Sequence, residues 1–135
     1  MTNQELINLA LGKISIVEAG DSANATDSTT TLGVLNRMMS EWGERDMDFN
    51  WFTQDTLGDT VPIPKWAEEG IIANVAVRAA SDFTVPVKPE LLREADFGKR
   101  TIGNTLITQT LDNTDMTHMP LGSGRFNNYD IEIDS

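Results

Sequence analysis

Residues 64–83 read Pro64-Lys65-Trp66-Ala67-Glu68-Glu69-Gly70-Ile71-Ile72-Ala73-Asn74-Val75-Ala76-Val77-Arg78-Ala79-Ala80-Ser81-Asp82-Phe83, and this stretch decides the fold. Ile72, Val75, Ala76, Ala79 and Phe83 recur at the three- and four-residue steps of one helical face. A proline at the start is preorganised for a first turn, and Glu68 and Glu69 sit early, where a helix dipole favours acids. The alanines allow a neighbouring helix to approach closely. The spacing therefore predicts a helix from Pro64 or Lys65 onward, ended by Val85-Pro86-Val87-Lys88-Pro89.

Working outward, a second pattern follows on the C-terminal side. Leu91, Leu92, Ala95, Ile102 and Leu106 predict a helix over about 89–109, weakened in its middle by Gly98 and Gly103. On the N-terminal side, Leu32, Leu35, Met39 and Trp42 form one stripe that Met38 widens. It belongs to a helix starting around Ser28 to Thr30 and ending near Asp46. A first helix, capped by Thr2 or Asn3, carries Leu6, Leu9 and Ala10 and stops or bends at Gly12. The polar stretch from Val17 toward Thr31 begins as a connector. Trp42 and Trp66 both read as core.

Residues 49–63 break the helical period. Phe49, Trp51 and Thr53 alternate, as do Val61 and Ile63, with a turn signal at Leu57-Gly58-Asp59. Pro62 and Pro64 argue against a central strand. A short β-hairpin or an extended loop is expected, with Phe49, Trp51 and Phe52 as a partner-binding surface. The fold class is mainly α: a compact bundle of about four helices with that insertion, forming a core domain over 1–109.

Residues 110–135 read as an extended C-terminal arm. Pro120, Gly122-Ser123-Gly124 and Asn127-Asn128 interrupt any regular pattern, and the apolar residues are too scattered to bury surface alone. Met116, Met119, Pro120, Leu121, Phe126, Tyr129, Ile131 and Ile133 are the candidate partner-binding residues of this arm. Fully extended, the arm would reach roughly 90 Å.

The net charge of −11 is uneven: −7 over residues 1–64, zero over 65–109 and −4 over 110–135. Binding DNA means neutralising phosphates with Lys and Arg, so this chain repels nucleic acid at long range. There is no cysteine and one histidine, His118, which leaves no disulfide framework, thiolate nucleophile or ordinary zinc site. No apolar run approaches a membrane span, and the acidic start Met1-Thr2-Asn3-Gln4-Glu5 is unlike a signal peptide. Synthesis in the host cytoplasm is expected, with no membrane partner. Glu41 with Glu44, or Glu68 with Glu69, could be imagined as a hydrolase pair, but such neighbours on a polar helix face are ordinarily solvated. Gly122-Ser123-Gly124-Arg125 lacks the Gly-Lys-Ser/Thr ending of a phosphate loop. No enzyme and no cofactor are expected.

Three stretches resemble the head-to-tail adaptor (head completion, or packaged-DNA stabilisation) proteins of short-tailed bacteriophages. They are Leu9-Ala10-Leu11-Gly12-Lys13-Ile14, Leu35-Asn36-Arg37-Met38-Met39-Ser40-Glu41-Trp42, and Met119-Pro120-Leu121-Gly122-Ser123-Gly124. The helix over Ala67–Ala80 is similar too, and the set spans most of the chain. Ser15 departs from the pattern where the family often has glycine, and the tail after Gly124 is short. The resemblance implies a structural virion protein at the head-to-tail junction. About twelve copies would form a ring beneath the portal protein, with the arm docked on the portal and a tail or nozzle protein attached below. DNA would cross the lumen without sequence-specific binding, repelled by the acidic ring over the ~8–10 Å that salt allows. Two other readings remain: a small carboxylate-dependent cell-wall hydrolase, and a helical interaction domain unrelated to viruses.

Overall fold

In the computed structural model, residues 1–113 are described, with side-chain surroundings through Gln109. Four helices carry the fold: α1 (Asn3–Lys13), α2 (Ala25–Gly43), α3 (Glu68–Asp82) and α4 (Pro89–Asn113). A single 3-10 turn, Lys65–Ala67, leads into α3. The predicted start at Pro64 or Lys65 is this turn, with the regular helix following three residues later.

Helix α1 begins with a reciprocal cap. The Glu5 amide donates to Thr2 Oγ1 at 3.1 Å, and the Thr2 amide donates to Glu5 Oε1 at 2.8 Å. Asn3, the other predicted cap, is instead fully buried. Helix α2 starts earlier than the apolar stripe suggests, because Asn24 accepts from the Asp27 amide at 2.8 Å. The threonines that argue for a loop are accommodated by back-bonding: Thr29 Oγ1 donates to the Ala25 carbonyl and Thr31 Oγ1 to that of Asp27. It also ends earlier, at Gly43.

The core lies where α3 is wrapped by the other three helices. The predicted stripe of α2 is buried throughout, with Leu35, Met38, Met39 and Trp42 at 1% exposure or less. In α3, Ile72, Val75, Ala76 and Ala79 are buried as predicted. Helix α4 contributes Leu91, Ala95 and Ile102. Three predicted core positions are corrected: Leu9, Leu92 and Trp66 are exposed. For Leu9 and Leu92 the reason is rotational, since α1 turns Leu6, Ile7, Ala10 and Leu11 inward and α4 turns Leu91 and Ala95 inward.

Helices α3 and α4 cross at two glycines. A methyl placed on Gly98 would stand 2.6 Å from the Gly70 Cα, and one on Gly70 would stand 3.0 Å from the Gly98 carbonyl oxygen. Asn74 ties the crossing by donating to the Gly70 carbonyl at 2.7 Å and across to the Ala95 carbonyl at 2.9 Å. Gly98, which costs helix propensity, is thus the residue that lets α4 lie against α3.

Helices α1 and α3 end in the same way. The Ile16 amide bonds to the Leu11 carbonyl and the Val85 amide to that of Ala80, closing six-residue C-terminal loops. The turning residues are Ser15 at φ 63° and Thr84 at φ 53°, both in the left-handed region that favours glycine. Ser15 is the position where the adaptor resemblance has glycine.

Candidate partner-binding surface

Residues 49–63 form a loop that turns at Asn50, with φ 57°, and again over Thr56–Asp59, and among the described residues no hairpin forms. The only pairing is an isolated antiparallel bridge between Thr2 and Thr60. The hairpin half of the expectation is therefore corrected and the loop stands. The physical reason is that the segment's polar groups are taken by α1 and α2 instead of by a second strand.

At α1, the segment caps the helix. The Asn3 amide donates to the Asp59 carbonyl and the Gln4 amide to that of Leu57, both at 2.9 Å, so two orphan donors of the first turn are satisfied. Asn3 Nδ2 reaches the Gln54 Oε1 at 3.0 Å and the Thr56 carbonyl at 2.9 Å. At α2, Asn36 works as a backbone mimic. Its Nδ2 donates to the Gln54 carbonyl and its Oδ1 accepts from the Gln54 amide, each at 2.8 Å. The same Oδ1 accepts from Trp51 Nε1 at 3.2 Å. Gln54, 4% exposed, also donates from Nε2 to the Phe52 carbonyl. Polar groups of a segment with no sheet partner thereby find partners on α1 and α2.

This framework positions the three predicted aromatics differently. Trp51 is half-buried and hydrogen-bonded, so it belongs largely to the clamp. Phe49 is half-buried and packs on Trp66, with ring centroids 5.9 Å apart and planes at 43°. That contact explains the exposure of Trp66, which lies over the segment at the surface instead of entering the bundle. Phe52 is 63% exposed, between Trp51 and Gln54, both of which donate to Asn36 Oδ1, and its carbonyl accepts from Gln54 Nε2. Phe49, Phe52 and Trp66 supply the aromatic surface. The eight predicted arm residues, Met116 to Ile133, lie outside the described residues.

Sequence reasoning missed Asn36 and Gln54, and read Asn3 only as a cap. The signal available was weak: an Asn inside a helix is poorly disposed there unless its amide has a partner.

Among the described residues three carboxylates, Glu41, Glu94 and Asp96, stand in ion pairs. Glu41 accepts from Arg78 at 3.1 Å, joining α2 to α3, and lies 3.9 Å from Arg45. The Arg78 hydrogen bond and charge hold its carboxyl below the usual carboxylate range, the opposite of what a general acid requires. Lys13 pairs with Glu94 at 3.0 Å, joining α1 to α4, and Asp96 pairs with Arg100 along α4. Among the described residues no three acids or imidazoles converge as a metal site, and no helix is long and apolar enough to cross a membrane.

The fold and this surface define a small helical scaffold whose polar framework displays aromatic side chains outward. The chain belongs to the P22 tail accessory factor family, whose model matches residues 1–133. It is therefore a phage tail accessory protein, in keeping with the adaptor resemblance of its sequence. None of the curated proteins matches the chain.

Proposed function

We propose that the protein is the head-to-tail connector of a short-tailed phage, acting by binding and not by catalysis. Copies assemble as a ring of about twelve beneath the portal protein, close the DNA-filled head and present the attachment site for the tail or nozzle protein. Residues 110–135, whose first four complete α4, supply the arm that docks on the portal, through Met116, Met119, Pro120, Leu121, Phe126, Tyr129, Ile131 and Ile133. Phe49, Trp51 and Phe52 belong to a second contact, with the exposed Phe52 at its centre.

The observation that carries this reading is the extent of the family match, which takes in the helical core and the C-terminal stretch alike, to residue 133. The charge is consistent with it. A ring of chains at −11 each surrounds a DNA channel with repulsive potential, favouring passage over adhesion. Many identical arms docking on one portal give avidity, and ring assembly is conditional on that docking.

The test is the mass of the purified chain alone and after mixing with the portal of its own phage. The expected result is a monomer alone and a closed ring added to the portal. A stable ring in the absence of portal would overturn the conditional assembly, and no binding at all would overturn the connector reading.

A further inference from the structure

We infer that, before docking, the chain's own Met119-Pro120-Leu121 folds back onto the apolar patch of Phe49, Trp66 and Ile107, and that the portal must lift it off. The contact concerns the chain alone; only its displacement by the portal rests on the connector reading.

The patch lies at the end of the bundle from which the C-terminal residues depart. Helix α4 runs back along α3: Asn74 bonds to the Ala95 carbonyl, Gly98 meets Gly70, and Ile102 Cδ1 lies 2.8 Å from where a methyl on Gly70 would stand. The next turns of α4 therefore pass the residues that precede α3, of which Trp66 is 39% exposed. Gly103 faces Met47, whose Sδ is 3.7 Å from a methyl placed on that glycine. Met47 leads into Phe49, and the Phe49 ring packs on Trp66. Leu106 and Ile107 follow Gly103 by three and four residues, so they share its face. Leu106 is half-buried and Ile107 is 55% exposed. Apolar side chains from three separate segments thus gather beside the last turns of α4.

The length of chain beyond α4 suits a return to this patch. From Gly103 to Asn113 the helix rises about 15 Å, and an extended chain recovers that in about four or five residues. After a turn of about two residues, Met119 comes level with Gly103 and Leu121 passes it. Pro120 between them is a poor helix residue and suits an extended approach. A thioether against aromatic rings is a favourable contact in its own right.

The chain's own segment is the occupant that these features favour over a second copy or the tail protein. So short a tether holds it at an effective concentration in the roughly millimolar range. Charge does not oppose the contact, since residues 114–121 carry Asp115 alone and the neighbours of the patch are mixed, with Lys65 against Asp48 and Glu68. Met119 and Leu121 also belong to the portal-docking set, and one side chain cannot fill both sites. Docking on the portal therefore uncovers the Phe49 side of the second contact.

The absence of cysteine allows placed probes. A nitroxide on Ser123→Cys should broaden the Trp66 indole N–H resonance of the free chain, and the broadening should be lost when Met119→Ser and Leu121→Ser are added. The Trp42 indole checks that the fold persists in each variant. Equal broadening with and without the two serines would report the tether alone and overturn the contact. Broadening of an unlabelled chain by a nitroxide-bearing one assigns the cover to another copy and overturns it too. Displacement is read by a disulfide between Lys65→Cys and Ser123→Cys, which should block loading on the portal until it is reduced. A locked chain that loads unhindered overturns the displacement. A wild-type chain that never loads, with Trp66 still covered, overturns the connector reading and leaves the fold-back contact standing.

Discussion

Gly70 and Gly98 touch backbone to backbone where α3 and α4 cross, with no room for a methyl on either side. A side chain at either position would have to move helix backbone, the least compliant of neighbours. Gly98→Ala gains about 1 kcal/mol of helix propensity but separates the helices, and overpacking of this kind costs about 2–3 kcal/mol. We expect a net loss of about 1–2 kcal/mol in urea denaturation. A stabilised variant would show that the close approach is not needed.

Ser15 and Thr84 turn the chain at the ends of α1 and α3 with positive φ. A residue with a Cβ is held in this conformation at a cost of roughly 1–2 kcal/mol, which glycine avoids. Ser15→Gly and Thr84→Gly should each raise the stability by about 0.5–1 kcal/mol, with the larger effect at the β-branched Thr84. The midpoint of urea unfolding reads this directly; an unchanged or lower midpoint contradicts it.

Asn36 holds the segment over residues 49–63 to α2 through three hydrogen bonds. Asn36→Ala leaves the buried Gln54 peptide unpaired on both its amide and its carbonyl, a loss of about 2 kcal/mol. The indole N–H resonance of Trp51 should shift, while those of Trp42 and Trp66 hold their positions. If all three remain in place, the clamp is not what positions the segment.

Glu41 is held ionised by Arg78. Its folded pKa lies below the ordinary value of 4.5, so the pair contributes stability above that pH and loses it as the pH falls through the folded value. Comparing wild type with Arg78→Met, the stability difference should be constant near neutrality and close as the pH drops below about 4.5. A difference that persists fully at pH 2–3 would assign the effect of Arg78 to packing.

The helices were legible because their apolar stripes are long and regular: Leu32 to Trp42 and Ile72 to Ala79 define buried faces without knowledge of any neighbour. Leu9, Leu92 and Trp66 were not, because apolar character marks a side chain that can be buried, and only the packing decides which is. Residues 49–63 were legible as non-helical, but the alternation of Phe49, Trp51 and Thr53 did not make a strand, since Asn50 between them turns with φ 57°. Its partner was hidden, since nothing local shows that Asn3 and Asn36, far away in sequence, supply the hydrogen bonds of a missing strand. Gly98 read as a weakness of α4, and its purpose appears only when Gly70 is seen opposite. Of the predicted contact surface, Phe52 proved outward-facing, Phe49 shared its ring with Trp66, and Trp51 turned to the framework.

The central claim is that the chain loads onto the portal through its C-terminal arm. The most direct measurement compares the full chain with one ending after Asn113, the end of α4, by imaging and mass after mixing each with the portal. The expected result is a ring on the portal from the full chain and none from the shortened one, which should keep its helical content. Equal loading of both would contradict it and move the portal contact to the helical core.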